Sequence, residues 1–196
     1  MKNLFYSLIA LTLLLFVSCK ETTSANKAEV EETKEVKKTT AAPDYDAFNK
    51  KVATLRSFLK AHENEDLNAQ KELLTDTLKW SPPYYNGNQI LGKEDYLAVL
   101  KNYQDNFENI NYTEGIRLGD IQEDGWWSGS AFPEGKASTT PDAIRIYGTW
   151  TAIHTESKKE IGVKWFAIAW LNEAGKIAQM TEYFDVNGIA AQIAEE

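Results

Sequence analysis

Residues 144–185 read IRIYGTWTAIHTESKKEIGVKWFAIAWLNEAGKIAQMTEYFD. Apolar and polar residues alternate within this stretch over residues 144–155, 160–171 and 176–184. Alternation with a period of two is typical of strands that bury one face, and turn residues at Ser157-Lys158 and at 172–175 separate the three segments. The pattern predicts three neighbouring strands. Asp185 then precedes an apolar helical pattern and is most simply the N-cap of a final helix.

The preceding residues add helices and a short strand. Apolar residues at helical spacing predict helices over residues 46–64 and 93–107, and Asp66 is the predicted cap of a short helix that ends near Leu74. A short strand is expected over residues 77–80, and the main sheet begins over residues 112–118. This order favours an α+β domain in which helices cover one face of a sheet.

Several aromatic or ionisable residues lie where a pocket could form. Tyr85 belongs to a turn-rich loop, where it could line the rim of a pocket or cover the sheet edge. Trp126 and Trp127 precede the longest loop, residues 128–142, which is either a functional lid or a mobile insertion. His62 ends the apolar stripe of the first helix, where a half-exposed position is the simpler interpretation than a pocket position.

The amino terminus has the pattern of a bacterial lipoprotein. Lys2 is followed by an apolar stretch over residues 4–17, which is too short for a stable membrane span, and FVSC at 16–19 resembles a lipoprotein box. We therefore expect a signal peptide over residues 1–18, acylation of Cys19, a polar tether over residues 19–43 and a domain over residues 44–196. The expected location is the bacterial cell envelope, on the outer membrane, with the side of that membrane left open.

Charge and composition exclude some classes of partner. The net charge of −8 leaves about −9 on residues 44–196, which disfavours nucleic-acid binding. Two distant histidines and one cysteine outside the domain give no zinc-ligand spacing, and no glycine-rich phosphate loop is present. The sequence therefore calls for no metal or cofactor.

Five stretches carry a resemblance to a known family: EDL at 65–67, DTLKW at 76–80, GTWTAIHT at 148–155, GKI at 175–177 and EYFD at 182–185. In these the chain resembles the nuclear transport factor 2-like superfamily, and in particular its SnoaL-like polyketide cyclase branch. The resemblance implies a cone-shaped α+β fold with a curved antiparallel sheet wrapped on N-terminal helices. It implies no single activity, because the superfamily contains isomerases, cyclases, hydrolases and non-catalytic binding modules.

The resemblance also suggests where catalytic residues should lie. His154 matches the histidine of SnoaL-like enzymes, which places it on the pocket side of the sheet. The acid-base aspartate of those enzymes should fall at Ala167 or Ile168, and neither side chain can transfer a proton. Glu182 lies on the same face as His154 by alternation, among aromatic residues, where desolvation would raise its pKa and suit it to acid-base chemistry.

The same alternation assigns two faces to the sheet. One face combines small residues with large apolar ones and is the predicted wall of a ligand pocket. Together with neighbouring aromatic residues, the predicted pocket consists of Trp80, Tyr85, Tyr103, Trp126, Trp127, Trp150, Trp165, Ala167, Met180 and Phe184. The opposite face, with Phe166, Ile168, Trp170 and Ile177, is also apolar and predicts a homodimer.

Three functions remain open on this basis. The first is a lipid-anchored, non-catalytic module that binds a small apolar ligand. The second is an acid-base enzyme of the ketosteroid isomerase or SnoaL kind, which would use Glu182 with His154 or Tyr85. The third is an envelope scaffold with a vestigial pocket. The missing aspartate favours the first and third over the second.

Overall fold

The computed structural model describes residues 45–123, 125–128 and 143–194, and these ranges contain four helices and eight strands. The helices are α1 Tyr45–Glu63, α2 Leu67–Leu73, α3 Lys93–Asn106 and α4 Val186–Ala194. The strands are β1 Leu74–Ser81, β2 Phe107–Glu114, β3 Ile116–Leu118, β4 Ile121–Glu123, β5 Trp126–Ser128, β6 Ile144–His154, β7 Glu160–Leu171 and β8 Ile177–Tyr183. The predicted α+β class and order of elements are confirmed. The predicted signal peptide, Cys19, the tether and nearly all of the 128–142 loop lie outside the described residues.

Two aspartates begin helices as predicted. Asp66 Oδ1 accepts a hydrogen bond from Ala69 N at 2.9 Å, and Asp185 Oδ1 accepts one from Gly188 N at 2.7 Å. Each carboxylate satisfies a backbone N–H that has no partner within its own helix. These short-range contacts fix the start of α2 and α4.

The main sheet has the order β1-β8-β7-β6-β2, and β5 also pairs with β6. β1 runs parallel to β8, whereas the other pairs are antiparallel. The expected antiparallel sheet is therefore a mixed sheet, with one parallel pair at this edge. Most of the domain separates β1 from β8 along the chain, so no hairpin forces them to run in opposite directions.

The predicted strand over residues 112–118 is divided in two. Gly115 has a φ of +104°, which is accessible to glycine and rare for other residues, and it separates β2 from β3. β3 then pairs with β4 in a separate two-stranded sheet. The backbone turn at Gly115 thus takes the chain out of the main sheet.

The register of β6, β7 and β8 decides which side chains share a face. Gly148 lies opposite Trp165, and Ala167 lies opposite Glu182, so these residues share the face that the helices cover. A register shift between Trp170 and Leu171 then changes the alternation in β8. As a result Ile177 is fully buried in the main core, and its predicted place on the opposite face is wrong.

Two clusters of buried residues lie between the helices and the sheet. The larger joins α1 and α3 to the centre of the sheet and includes Leu55, Phe58, Tyr96, Trp80 and Trp165. The smaller contains Phe107, Ile110, Ala152, Ile161 and Ile189. Apolar burial on this scale is the main source of stability for such a domain.

The outer face of the sheet carries a row of stacked rings. Tyr147 and Phe166 have ring centroids 4.5 Å apart, and Phe166 and Tyr183 have centroids 5.6 Å apart. Tyr183 is 56% exposed. Within the described ranges, no helix is long and apolar enough to cross a membrane.

Candidate ligand cavity

A cavity of about 310 Å³ lies between the helices and the covered face of the sheet. Its wall is mostly apolar and draws on members of both buried clusters. The polar side chains on the wall include Glu182, His62 and Gln70.

Glu182 is held by two tryptophans. Its side chain comes from β8 and is 8% exposed. Trp80 Nε1 donates to Oε2 at 2.7 Å, and Trp165 Nε1 donates to Oε1 at 3.0 Å. Trp80 lies on the neighbouring strand β1 and Trp165 on the neighbouring strand β7, so the sheet brings both indoles to the carboxyl group. The small residue opposite Glu182, Ala167, leaves room for it.

Burial raises the pKa of Glu182 to about 7, and hydrogen bonds from Trp80, Trp165 and Tyr96 oppose this rise only in part. Desolvation disfavours the charged carboxylate, whereas donors stabilise it. Tyr96 lies beside the carboxyl group and also contacts Met180 Sδ at 3.1 Å through its hydroxyl. Glu182 therefore changes its protonation state close to neutral pH.

A second polar group consists of His62 and Gln70, which line the cavity, and Gln104, which lies behind them. Gln104 Nε2 donates to Gln70 Oε1 at 2.9 Å and lies 3.4 Å from His62 Nδ1. All three side chains are buried, and His62 is 9% exposed. Burial lowers the pKa of His62 to about 4, and Gln70 and Glu63 oppose this only in part. His62 is therefore neutral at physiological pH.

The sequence interpretation missed this group. His62 was expected to be half exposed, and that expectation is wrong because α2 and α3 cover the end of α1. Gln70 lies three residues after Leu67, and Gln104 lies four residues after Leu100. A glutamine at helical spacing within a buried stripe was the signal that could have revealed both.

Most of the predicted pocket residues can be placed. Trp80, Tyr103, Trp150, Trp165 and Phe184 line the cavity. Ala167 and Met180 instead belong to the core behind the wall. Tyr85 is 85% exposed, and its neighbours Pro83 and Tyr84 reach the cavity in its place. β5 places the backbones of Trp126 and Trp127 beside Ile146 and Arg145 of β6, and their side chains lie outside the described part of the structure.

His154 lies away from the cavity, against the expectation from the resemblance. It is the last residue of β6, and its Nδ1 lies 2.9 Å from Ser157 Oγ in the hairpin to β7. The lining from β6 ends at Ala152, two residues earlier. His154 lies on the predicted strand and at a position that alternation assigns to the covered face, but it lies past the end of the cavity. Across the described residues, no cluster of three His, Cys, Asp or Glu side chains could hold a metal ion.

No protein-family model matches the sequence, and no curated protein matches it either. Solved structures do match. The chain is 14% identical to a putative isomerase from Bacillus subtilis, with a TM-score of 0.54 over 76% of this chain and 96% of that one. It is 14% identical to a putative polyketide cyclase from Streptomyces antibioticus, with a TM-score of 0.53 over 74% of this chain and 99% of that one.

A third match is a nuclear transport factor 2-like protein from Burkholderia pseudomallei. It is 14% identical, with a TM-score of 0.52 over 74% of this chain and 98% of that one. The structural similarity establishes the fold. At sequence identities this low, it leaves the activity open. The covered mixed sheet, the helices packed on it and these matches show that the chain has the nuclear transport factor 2-like fold.

Proposed function

We propose that the domain binds a small, largely apolar molecule in the cavity, and that the Glu182 carboxyl group hydrogen-bonds a polar group of that molecule. The observation that carries the proposal is a buried carboxyl group on the wall of a mostly apolar cavity. Ligand cavities commonly have volumes of roughly 300–1,000 Å³ and combine an apolar wall with a few polar groups. This cavity, at about 310 Å³, suits a small ligand.

The hydrogen bonds of Glu182 leave capacity for a ligand. An indole nitrogen donates a single hydrogen bond, and each carboxylate oxygen can accept about two. The Trp80 and Trp165 indoles thus occupy one acceptor position on each oxygen, and the Tyr96 hydroxyl takes at most one more. A ligand hydroxyl or amine could donate to a remaining position.

A matched pair of probes tests this proposal. Tetralin is an apolar bicyclic hydrocarbon, and tetrahydronaphthol is the same molecule with one phenolic hydroxyl. We expect the purified protein to bind the phenol more tightly at about pH 8, where Glu182 is mostly ionised, because hydrogen bonds to charged groups are the stronger ones. Glu182→Gln should weaken phenol binding roughly fivefold and leave tetralin binding unchanged. Isothermal titration calorimetry measures both.

The pH dependence provides an internal control. The preference for the phenol should shrink as the pH falls through about 7 in the wild type and stay constant in Glu182→Gln. Equal phenol affinity in the two proteins would contradict the role of Glu182. Failure of both probes to bind would favour the scaffold with a vestigial pocket.

Acid-base catalysis is the second candidate, and the pKa of Glu182 is the observation that favours it. A group that titrates at about 7 can both accept and donate a proton at physiological pH. The similar structures described as a putative isomerase and a putative cyclase support this candidate at the level of the fold. The absence of a carboxylate at Ala167 and Ile168 argues against it.

Hydrogen exchange separates the two candidates. An enzyme of this kind should exchange the hydrogens beside the carbonyl of α-tetralone for deuterium in deuterium oxide, and NMR follows that exchange. Glu182→Gln should abolish the catalysed exchange. Exchange at the buffer rate with the wild-type protein would leave ligand binding as the function.

We also propose that the outer face of the sheet pairs with a second copy of the chain. The stacked rings of Tyr147, Phe166 and Tyr183 form an aromatic row, and burial of such rings favours association. Light scattering should give twice the mass of one chain, and Tyr183→Glu should give one chain. A monomeric wild-type protein would contradict the proposal.

We further propose that Cys19 is acylated and attaches the protein to the bacterial envelope, on the outer membrane. The apolar stretch over residues 4–17 and the FVSC sequence support this. Intact mass spectrometry of protein extracted from bacterial membranes should show a chain that begins at Cys19 and carries acyl chains, which Cys19→Ala lacks. An unmodified Cys19 would overturn the proposal.

A further inference from the structure

The loop of residues 82–92 carries apolar side chains that face solvent. It joins β1 to α3 and reads PPYYNGNQILG, without a charged residue. Tyr84, Tyr85 and Ile90 are 48%, 85% and 59% exposed, and they are three of the five large apolar side chains that are exposed among the described residues. Exposed apolar groups concentrated in one segment are typical of an interaction surface.

Hydrogen bonds close this loop at both ends. At its base, Trp80 and Leu91 exchange two backbone hydrogen bonds of 2.8 Å. At its tip, Asn86 Nδ2 donates to Gln89 O at 2.9 Å, and Asn86 Oδ1 accepts from Gln89 N at 3.1 Å. A loop that is ordered in advance loses little conformational entropy when it binds a partner.

The same loop lies beside the opening of the cavity. Pro83 and Tyr84 line the cavity, and Tyr84 is also about half exposed, so the wall reaches solvent at this residue. The loop begins just after Trp80, whose indole donates to Glu182 on the cavity wall. A surface that contacted the loop would therefore lie next to the cavity opening.

A lipid bilayer is the partner that fits this loop. Tyrosine is enriched where a membrane meets water, because its ring is apolar and its hydroxyl is polar, and an uncharged loop avoids the cost of moving a charge towards lipid. Acylation of Cys19 would keep the domain near a bilayer, since residues 20–43 span at most about 85 Å when fully extended. At the resulting local concentration, a weak contact is enough to hold the loop on the surface.

We propose that residues 82–92 dock on the lipid bilayer and bring the cavity opening against it. This inference rests on the proposed ligand binding and on the proposed acylation of Cys19, and it specifies the source of the ligand. The ligand is an apolar molecule dissolved in the bilayer, and it passes between lipid and cavity without crossing water.

Hydrogen exchange with and without vesicles tests the docking. The purified full chain is mixed with phosphatidylcholine vesicles, and deuterium uptake is followed by mass spectrometry. We expect the amides of residues 82–92 to exchange several-fold more slowly with vesicles, because contact with lipid excludes water from them. The combined change Tyr85→Ser and Ile90→Ser should abolish this protection. Ile121 is 60% exposed in the separate β3-β4 sheet, and Ile121→Ser should keep it.

The double variant also separates the docking from the binding function. Neither Tyr85 nor Ile90 lines the cavity, so its affinity for tetralin in the absence of vesicles should equal that of the wild type. A wild-type chain that binds tetralin but shows no protection of the loop by vesicles would overturn the docking alone. Protection that appears without vesicles as the protein concentration rises would assign the loop to a second copy and also overturn it. Failure of tetralin to bind the wild type would remove the ligand function, which is a different result.

Discussion

Replacing Glu182 by Gln should make the protein lose about 3 kcal/mol of unfolding free energy as the pH falls from 6.5 to 4, whereas the wild type should change little between pH 4.5 and 6.5. The reason is that two buried groups on the cavity wall have pKa values displaced in opposite directions. Each displacement alone makes stability depend on pH. Together they cancel over most of this interval.

The sign follows from where each proton is held. The pKa of Glu182 rises from 4.5 in the unfolded chain to about 7 in the folded protein, so its contribution is complete below pH 4.5 and is lost as the pH rises through 7. The pKa of His62 falls from 6.5 to about 4, so its contribution is present above pH 6.5 and is lost as the pH falls through 4. Near pH 5.5, folding removes one proton from His62 and adds one to Glu182.

Single and double variants separate the two contributions. His62→Phe should show the opposite trend to Glu182→Gln, with stability that falls by about 3 kcal/mol as the pH rises from 4.5 to 7. The double variant should again be flat. Urea unfolding followed by tryptophan fluorescence at several pH values measures each curve. Two flat single-variant curves would show that these residues titrate in the folded protein as they do in the unfolded chain.

Replacing Gly148 by Ala should lower the unfolding free energy by about 3 kcal/mol. A Cβ at Gly148 would overlap the ring of Tyr112, which lies on the neighbouring strand. Tyr112 cannot simply move aside, because its ring packs against Trp150 at 4.7 Å and Trp165 at 5.7 Å between centroids. The added methyl group therefore strains the centre of the sheet.

A second glycine of the same sheet is the matched control. A Cβ at Gly162 of β7 would come no closer than 3.8 Å to Thr151 Cγ2, which is ordinary contact. Gly162→Ala should change stability by less than about 1 kcal/mol. Combining Gly148→Ala with Tyr112→Leu should restore part of the loss. Equal effects at the two glycines, measured by urea unfolding, would show that the Tyr112 contact is not the cause.

The packing around Gly148 also affects the position of Glu182 on the cavity wall. Gly148 lies directly opposite Trp165, and Trp165 donates to the Glu182 carboxyl group. Displacement of the Tyr112 ring would therefore shift the Trp165 ring, and this shift would disturb the hydrogen bond to Glu182. We expect Gly148→Ala to weaken binding of the phenol probe as well as stability.

The sequence by itself determined the features that depend on neighbours along the chain. The strands β6, β7 and β8 follow from alternation and turn residues, and the helix starts at Asp66 and Asp185 follow from short-range capping. Glu182 could be recognised as a candidate site residue, because side chains alternate between the two faces of a strand and its position assigns it to the covered face. The fold class followed from the order of these elements.

Only the tertiary structure decided which of these side chains meet. The hydrogen-bonded residues Gln70 and Gln104 are 34 positions apart, and His62 and Gln104 are 42 apart, so no local pattern brings them together. Alternation put His154 on the covered face, but the strand ends at that residue and the cavity ends before it. The register shift at Trp170 and the parallel pairing of β1 with β8 likewise depend on packing between distant segments. Local preferences depend on residues that are close in sequence, whereas the cavity is formed by contacts between residues that are far apart in sequence.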